Sequence, residues 1–282
     1  MATMLIGYDT EYHAIGENLA RGGGESFYGS LPDDTTEAGL DIITAIHEAV
    51  GVTGTLFVCG RTLLQCLPAL RKAAANPLLD VQQHTYSHIL FKDDTWKGGL
   101  FPQSRPEALR HELGATSALI KEHLGTDCIG LRTPHGYYLG LADRPDHLQL
   151  LADNGIEYVT SWGRNSEHDN PAPFDIQPFW YEEQGFPDIL ELPFQHWSDA
   201  FWFEGYGIDR GAEFLEVLKE GVDEIVEKDL VYGACFHEWA MIRYNEAGTG
   251  WARGVMEYAV EQGVEVMSYT DYYNQQLQQR GS

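Results

Sequence analysis

The strongest constraint on the fold is the regular alternation of short apolar runs with amphipathic segments along the 282 residues. Runs such as 4–8, 55–59 and 128–131 have the length and the β-branched or aromatic content of buried strands. Segments such as 36–50 and 211–227 repeat apolar residues at helical spacing. Strands that alternate with helices form parallel sheets through right-handed crossovers. The sequence therefore predicts an α/β barrel with about seven parallel strands.

The remaining elements follow from the same patterns. Further strands are predicted at 78–81, 157–162, 189–192, 230–236 and 264–267. Further helices are predicted at 63–75, 104–123, 143–154, 251–262 and 271–279. Thr36 is expected to cap the first helix, and Ser104 is expected to open a capping box. Glycine-rich residues 16–34 predict a long loop, and residues 163–188 predict irregular structure. No repeat or linker divides the chain, so we expect one domain over residues 1–282.

The composition limits the class of partner. The chain carries 43 acidic and 18 basic residues, which gives a formal charge of -25. Such a surface repels nucleic acid and anionic membranes, so neither is an expected partner. A salt-rich source and an acidic cytosolic protein are both compatible with this charge. The expected partner is a small-molecule or oligosaccharide substrate, and a homo-oligomer stays open.

The cysteines and the first residues bear on the compartment. Cys59, Cys66, Cys128 and Cys235 show no C-x-x-C pairing and predict buried free thiols, which suit a reducing compartment. The apolar run at 4–6 is too short for a signal peptide or a membrane span. We therefore expect a cytoplasmic protein.

Polar residues follow one predicted strand after another. In a parallel barrel the loops after the strands meet on one face, where catalytic residues lie. Residues that follow five different strands should therefore converge: Asp9 and Glu11, His84 and His88, Arg132, Glu191, and His237.

The segment Gln83-His84-Thr85-Tyr86-Ser87-His88 predicts a metal site. Side chains four residues apart on one helical turn have Cβ atoms roughly 5–6 Å apart, so both imidazoles could reach one cation. The same spacing is compatible with two ordinary loop histidines. The convergence with carboxylates on the same face favours the metal.

These motifs resemble the polysaccharide deacetylase family, the NodB-type carbohydrate esterases of family four. Residues 84–88 resemble its H-[ST]-x-x-H metal motif, residues 132–136 match its R-x-P-x-G motif, and His237 ends a strand as in that family. Residues 190–194 and the aromatic residues after them resemble an intracellular branch that includes peptidoglycan deacetylase-like and allantoinase-like proteins. The resemblance implies a distorted (β/α) barrel of the NodB type as a single catalytic domain.

The resemblance also implies a divalent metal, most simply zinc, with cobalt, nickel or manganese as alternatives. It implies Glu11, His84 and His88 as the ligands. The family commonly has two adjacent aspartates, whereas this chain has Asp9-Thr10-Glu11. A branch of the family spaces its carboxylates two apart, a spacing that Asp9 and Glu11 fit with glutamate in place of the second aspartate. Alternate residues on a strand point the same way, so both can face the pocket. The resemblance therefore implies Asp9 as the base and Glu11 as a ligand. His13 is an alternative to Glu11.

The remaining roles also come from the resemblance. Asp9 would accept a proton from water, Arg132 would pair with Asp9, and His237 would protonate the leaving amine. The backbone N–H of His135 would stabilise the oxyanion. Trp162 and Trp197 are the expected sugar contacts, with a place in the core as the alternative.

The leading hypothesis is metal-dependent hydrolysis of a C–N amide bond, most simply N-deacetylation of an N-acetylated sugar or small glycan. Hydrolysis of a cyclic amide or ureide would use the same residues. Two other classes stay open. A metal-free glycoside hydrolase could pair Asp9 with Glu191 or Glu204, and a sugar-binding module would have no activity.

Overall fold

The fold is known from a computed structural model, which describes residues 1–15, 31–96 and 99–281. Most of the loop predicted at 16–34 lies outside these residues. The strands are β1 (Thr3–Thr10), β2 (Gly54–Val58), β3 (Leu79–Gln83), β4 (Asp94–Trp96), β5 (Gly99–Phe101), β6 (Gly130–Tyr137), β7 (Tyr158–Trp162), β8 (Phe179–Tyr181), β9 (Phe186–Glu191), β10 (Val231–His237) and β11 (Glu265–Met267).

Helices connect most of these strands. They are α1 (Thr35–Val50), α2 (Gly60–Gln65), α3 (Leu67–Ala74), α4 (Pro106–Leu124), α5 (Pro145–Asp153), α6 (Asp199–Tyr206), α7 (Gly211–Lys228), α8 (Ala240–Arg243), α9 (Glu246–Thr249), α10 (Trp251–Glu261) and α11 (Tyr269–Arg280). Residues 12–15 are also helical.

The central sheet is mostly parallel. Its strand order is β10-β1-β2-β3-β6-β7-β9-β8, and β11 also pairs with β1. Only β8 runs antiparallel to its neighbour among the described strands of this sheet. The N–H of Gln195, after β9, donates to the Gly233 carbonyl in β10 at 3.0 Å. The sheet thus curves back towards its first edge, which confirms the α/β class and is consistent with a distorted NodB-type barrel.

The core lies on both faces of this sheet. All eight residues of β1 are buried, as expected for a parallel strand that is covered on both sides. One large apolar cluster joins the inner strands to α1, α7 and α10 through side chains such as Ile6, Ile43, Leu218 and Val255. Because both faces of the sheet are covered, the carboxyl ends of the strands remain accessible.

Three helix starts differ from the prediction. Thr36 lies inside the first turn of α1 and does not cap it, because its hydroxyl donates to Glu238 Oε1 at 3.1 Å. Ser104 forms no capping box, because α4 begins at Pro106, whose missing N–H needs no partner at a helix start. The helix predicted at 63–75 is divided at Cys66, since Pro68 lies in the first turn of α3.

The region predicted to be irregular at 163–188 contains β8 and the first residues of β9. The β4–β5 hairpin and the short helices α6, α8 and α9 were not predicted, because elements of three to eight residues are too short to show a hydrophobic period. The four cysteines are free and buried, as predicted. Within the described residues, no helix is both long and apolar enough to cross a membrane.

Gly7 is needed because an arginine side chain occupies the space beside β1. A Cβ atom at Gly7 would lie 2.6 Å from Arg132 Nη2 and 2.9 Å from Tyr269 Cε2. We expect Gly7→Ala to lower the free energy of unfolding by roughly 1–3 kcal/mol through overpacking. Urea denaturation measures the change. Gly205→Ala in α6 is the control, since its Cβ would meet nothing within 4 Å and alanine favours helix. Equal stability of the two variants would contradict this account.

Candidate metal centre and catalytic site

The ends of β1 and β10 place the first two functional side chains together. Asp9 of β1 pairs in register with His237 of β10, and Thr10 pairs with Val58 of β2. Parallel strands in register end at the same level, so side chains at these ends share one face of the sheet. His237 Nε2 lies 3.9 Å from Asp9 Oδ2.

Glu11, His84 and His88 meet at this face. Glu11 Oε2 lies 3.0 Å from His84 Nε2 and 2.9 Å from His88 Nε2. The histidine motif is an irregular turn after β3 rather than a helical turn, because Thr85 and His88 both have φ of 60°. The structure thus brings both imidazoles to one carboxylate by a different backbone route from the one that the spacing suggested.

These three side chains fit a divalent ion. One ligand atom from each lies within 4.8 Å of the other two. His84 Nδ1 lies 2.8 Å from the carbonyl oxygen of Arg132, an arrangement that orients the ring and aims Nε2 towards the site, as in metal-binding histidines. Two imidazoles and a carboxylate form the open three-ligand set of catalytic zinc sites. His13 lies in a different group of side chains, so Glu11 is the residue that completes this set.

Burial and mutual charge act against each other at this centre. Burial alone would raise the pKa of Glu11, but the His88, His84 and His237 imidazoles hold that pKa well below its usual range. For His84, burial lowers the pKa while Asp9 and Glu11 raise it, with a net rise. Burial dominates for His88, whose pKa falls. Glu11 is therefore ionised and available to a cation.

Asp9 forms a buried ion pair with Arg132. Arg132 Nη1 lies 3.0 Å from Asp9 Oδ1, and the arginine side chain is fully buried. Its guanidinium stacks between aromatic rings, with centroids of Phe57 at 4.5 Å and Tyr269 at 4.9 Å. This packing fixes the guanidinium, so the orientation of Asp9 is fixed as well.

His237 is held by Asp199, a residue that the sequence did not point to. His237 Nδ1 lies 2.5 Å from Asp199 Oδ1, and the His237 N–H donates to Asp199 Oδ2 at 2.8 Å. Burial opposes protonation of His237, but the carboxylates of Asp199, Glu11 and Asp9, with Asp199 foremost, together raise the pKa of this imidazole to about 10. His237 is therefore a protonated acid at neutral pH. The sequence feature that could have pointed to Asp199 is Ser198, which caps α6 one residue before it.

Glu238 is a second residue that sequence reasoning missed. Its Oε1 accepts hydrogen bonds from the N–H groups of Glu11 and Tyr12 and from the Thr36 hydroxyl, at 2.8–3.1 Å. The side chain is buried. Glu238 thus fixes the backbone that presents Glu11, although it is not itself one of the grouped ligands.

A cavity of about 330 Å³ opens above the centre. It is lined by Asp9, Glu11, Ile15, His88, Ile89, Leu90, Phe101, Pro102, Ser104, His135, Gly136, Arg164, Phe194, Ser198, Ala200, Phe201, Cys235, His237 and Trp239. His135 Nδ1 lies 2.6 Å from Asp94 Oδ2, and Arg164 Nη2 lies 2.9 Å from the same oxygen. The β4–β5 hairpin therefore supplies the carboxylate that holds one wall of the cavity.

The polysaccharide deacetylase family model matches residues 30–159. That match covers a little under half of the chain. It confirms the resemblance carried by the histidine and R-x-P-x-G motifs. No curated protein has a significantly similar sequence.

Several solved structures share the fold of this deacetylase-like chain. One, described provisionally as a polysaccharide deacetylase from Mycobacterium smegmatis, is 16% identical with a TM-score of 0.70 over 99% of this chain and 91% of that one. The Puue allantoinase is 15% identical with a TM-score of 0.71, over 97% and 89%. A pseudoenzyme of carbohydrate esterase family 4 from Bacillus anthracis is 12% identical with a TM-score of 0.55, over 96% and 65%.

The two tryptophans expected to contact substrate in this deacetylase-like fold do not line the cavity above the metal centre. Trp162 ends β7 and borders a separate surface depression with Tyr138. Trp197 packs edge-on against Trp202 and Tyr206, with ring centroids at 5.7 and 5.5 Å. The structure brings His135 to the cavity and leaves these two rings outside it.

The carboxylates considered for a glycosidase are occupied elsewhere. Buried Glu191 accepts hydrogen bonds from Ser161, Trp162 and Tyr181 at 2.5–2.8 Å, and burial raises its pKa. Glu204 pairs with Arg243 at 2.9 Å. Neither carboxylate lines the cavity that contains Asp9, so the structure does not assemble the pair that a glycosidase needs.

The contact between Asp199 and His237 leads to a prediction for the pKa of His237. We expect Asp199→Asn to lower the pKa of His237 from about 10, because the neutral amide no longer stabilises the imidazolium. An NMR titration of the His237 ring in metal-free protein measures this change. Asp223→Asn, at an exposed position of α7, is the matched control and should leave the titration of His237 unchanged. An unaltered pKa in Asp199→Asn would show that another group controls His237.

Proposed function

We propose that the protein is a metal-dependent hydrolase of C–N amide bonds that removes the acetyl group from a small N-acetylated sugar or glycan. The observation that carries this proposal is the set of Glu11, His84 and His88 around one point, with Asp9 and His237 beside it. The family match supports the class of deacetylases and amidohydrolases.

Glu11, His84 and His88 would hold the ion. A bound divalent ion lowers the pKa of a water molecule towards roughly 7 and polarises a carbonyl group. Asp9 accepts the proton of the attacking water, and its ion pair with Arg132 keeps one carboxylate oxygen in place. This pairing leaves Oδ2 of Asp9 facing His84 and His237, at 3.6 and 3.9 Å.

His237 supplies the proton that the leaving nitrogen needs. An amine leaves poorly unless it is protonated, and the Asp199 contact makes His237 a protonated imidazole at neutral pH. Asp199 does not line the cavity; it acts through His237 and is a positioning residue. The backbone N–H of His135 is the proposed donor to the developing oxyanion.

The dimensions and walls of the cavity favour a small substrate. A volume of about 330 Å³ is at the low end of the range for small-molecule sites. Phe101, Phe194 and Phe201 provide apolar faces, and Arg164 adds a buried cation. A short glycan or a monosaccharide suits this enclosure better than a long polymer.

A second candidate function keeps the site and changes the substrate to a cyclic amide or ureide. The observation that favours it is the Asp9-Thr10-Glu11 spacing in place of adjacent aspartates. The fold does not separate the two, since an allantoinase and a probable polysaccharide deacetylase both match with a TM-score of 0.71. Acetate release from N-acetylglucosamine oligomers, measured beside ring opening of allantoin and of a cyclic imide, separates the two. Turnover of neither class with metal present would overturn both substrate proposals and favour a non-catalytic sugar-binding protein.

Substitutions at the centre should separate metal binding from chemistry. We expect His84→Ala and His88→Ala to bind one equivalent of metal fewer than the wild-type protein and to lose activity, because each removes one of the three ligands of this centre. Asp9→Asn and His237→Ala should keep the metal and lower turnover by at least about 10²-fold, the usual contribution of general acid or base catalysis. Elemental analysis and activity of the purified variants measure both properties.

The control for these variants is His111→Ala, an exposed histidine of α4, which should keep both metal and activity. A metal content equal to that of the wild-type protein in both His84→Ala and His88→Ala would remove the proposed centre.

Removal of metal provides a test that needs no substitution. We expect dialysis against a chelator to abolish hydrolysis, and addition of Zn²⁺, Co²⁺, Ni²⁺ or Mn²⁺ to restore it to different extents. The rate after each addition also identifies the most effective ion. Hydrolysis that survives chelation would contradict the metal mechanism.

A further inference from the structure

His13, Glu37 and Cys66 form a second group of ligand-type side chains. Each offers one ligand atom, and the three atoms lie within 4.8 Å of one another. His13 belongs to the helical residues 12–15, Glu37 lies in the first turn of α1, and Cys66 lies between α2 and α3. None of the three is a member of the group formed by Glu11 and the two histidines after β3.

Two polar atoms of this group lack hydrogen-bond partners. His13 Nε2 and Glu37 Oε2 are buried, and neither has a partner among the described residues. Buried nitrogen and oxygen atoms are nearly always paired, so two orphaned atoms in one cluster indicate a ligand or an ion. The third member, Cys66, is only 1% exposed, and its thiol is hydrogen-bonded to Glu37.

The chemistry of the donors selects the ion. Thiolate, imidazole and carboxylate together are typical zinc ligands, whereas magnesium and calcium take oxygen donors. The ionised thiolate and carboxylate carry two negative charges, which match a divalent cation. We propose that His13, Glu37 and Cys66 bind a second zinc-type ion, separate from the catalytic centre, with water completing its coordination.

Binding at this site releases a proton. Without the ion, a cysteine thiol is mostly protonated at neutral pH. A metal ligand must be deprotonated. The Cys66 proton therefore leaves as the ion enters, and the affinity for the ion rises with pH.

The position of the second ion suggests a structural role. It would join the segment after β1 to α1 and to the junction of α2 with α3, three parts of the chain that otherwise meet through side-chain packing. Glu238 already connects two of them, because it accepts from the Tyr12 N–H and the Thr36 hydroxyl. The ion would therefore stabilise the backbone that carries Glu11.

Cobalt titration of the metal-free protein tests this proposal. Co²⁺ bound to a thiolate gives a charge-transfer band in the near ultraviolet, and the catalytic group contains no cysteine. We expect the wild-type protein to develop this band with one equivalent of Co²⁺ bound at the second site. His84→Ala should keep the band, because its substitution removes the catalytic ion alone, and Cys66→Ser should lose it.

Cys235→Ser is the matched control, because Cys235 is the one other cysteine among the described residues that the structure groups with a histidine and a carboxylate, His237 and Asp9. It should keep the band. His13→Asn and Glu37→Gln retain the thiol and should weaken Co²⁺ binding at least about tenfold, which keeps the test decisive if Cys66→Ser does not fold. A wild-type protein without the band, a band that persists in folded Cys66→Ser, its loss in His84→Ala or Cys235→Ser, or unchanged affinity in both His13→Asn and Glu37→Gln would overturn the second site.

Discussion

The pairing of β1 with β10 and β2 is the constraint on which the site depends. β1 is buried along its whole length, and the register sets Asp9 opposite His237. Backbone hydrogen bonds therefore fix the separation of these two side chains before any contact between them forms. Glu11 follows the end of β1 by one residue, and Glu238 fixes its N–H. β1 thus places the carboxylates of Asp9 and Glu11 two residues apart and in different surroundings.

Buried charge at this face is balanced pair by pair. An isolated buried ion is costly, and a partner offsets that cost only when the geometry is good. Arg132 lies beside Asp9 at 3.0 Å, and Asp199 lies beside His237 at 2.5 Å. The pattern is notable in a chain of net charge -25, because the buried arginine is committed to a carboxylate of the site. These pairs keep Asp9 and His237 in defined orientations at the wall of the cavity.

The sequence predicted the parts of the site that depend on strand ends. Apolar runs locate the strands, and a parallel sheet brings residues such as Asp9, His84 and His237 to one edge whatever lies between them. Asp199 could not be found in this way. It lies on α6, an eight-residue helix rich in aromatic residues without an amphipathic pattern, and its contact with His237 spans 38 residues.

Aromatic side chains show the other limit of sequence reasoning. Trp162 and Trp197 lie at or after predicted strand ends, as the functional residues do. Residue type alone does not distinguish a tryptophan in the core from one that contacts a sugar. Only packing separates these cases, and the structure places the Trp197 ring against Trp202. The histidine motif shows a related limit: the spacing identified the two rings, while the left-handed conformations of Thr85 and His88 could not be read from residue types.

The left-handed conformations of these residues have a consequence for substitution by glycine. Thr85, His88 and His135 all have φ close to 60°, a conformation that costs a residue with a side chain about 1–2 kcal/mol. Glycine adopts it freely. Mutation to glycine at His88 or His135 would therefore relieve the backbone while it removes an imidazole from the cavity wall. The same change would remove a contact, with Glu11 Oε2 at 2.9 Å for His88 or with Asp94 Oδ2 at 2.6 Å for His135, so relief of backbone strain and loss of a buried partner oppose each other.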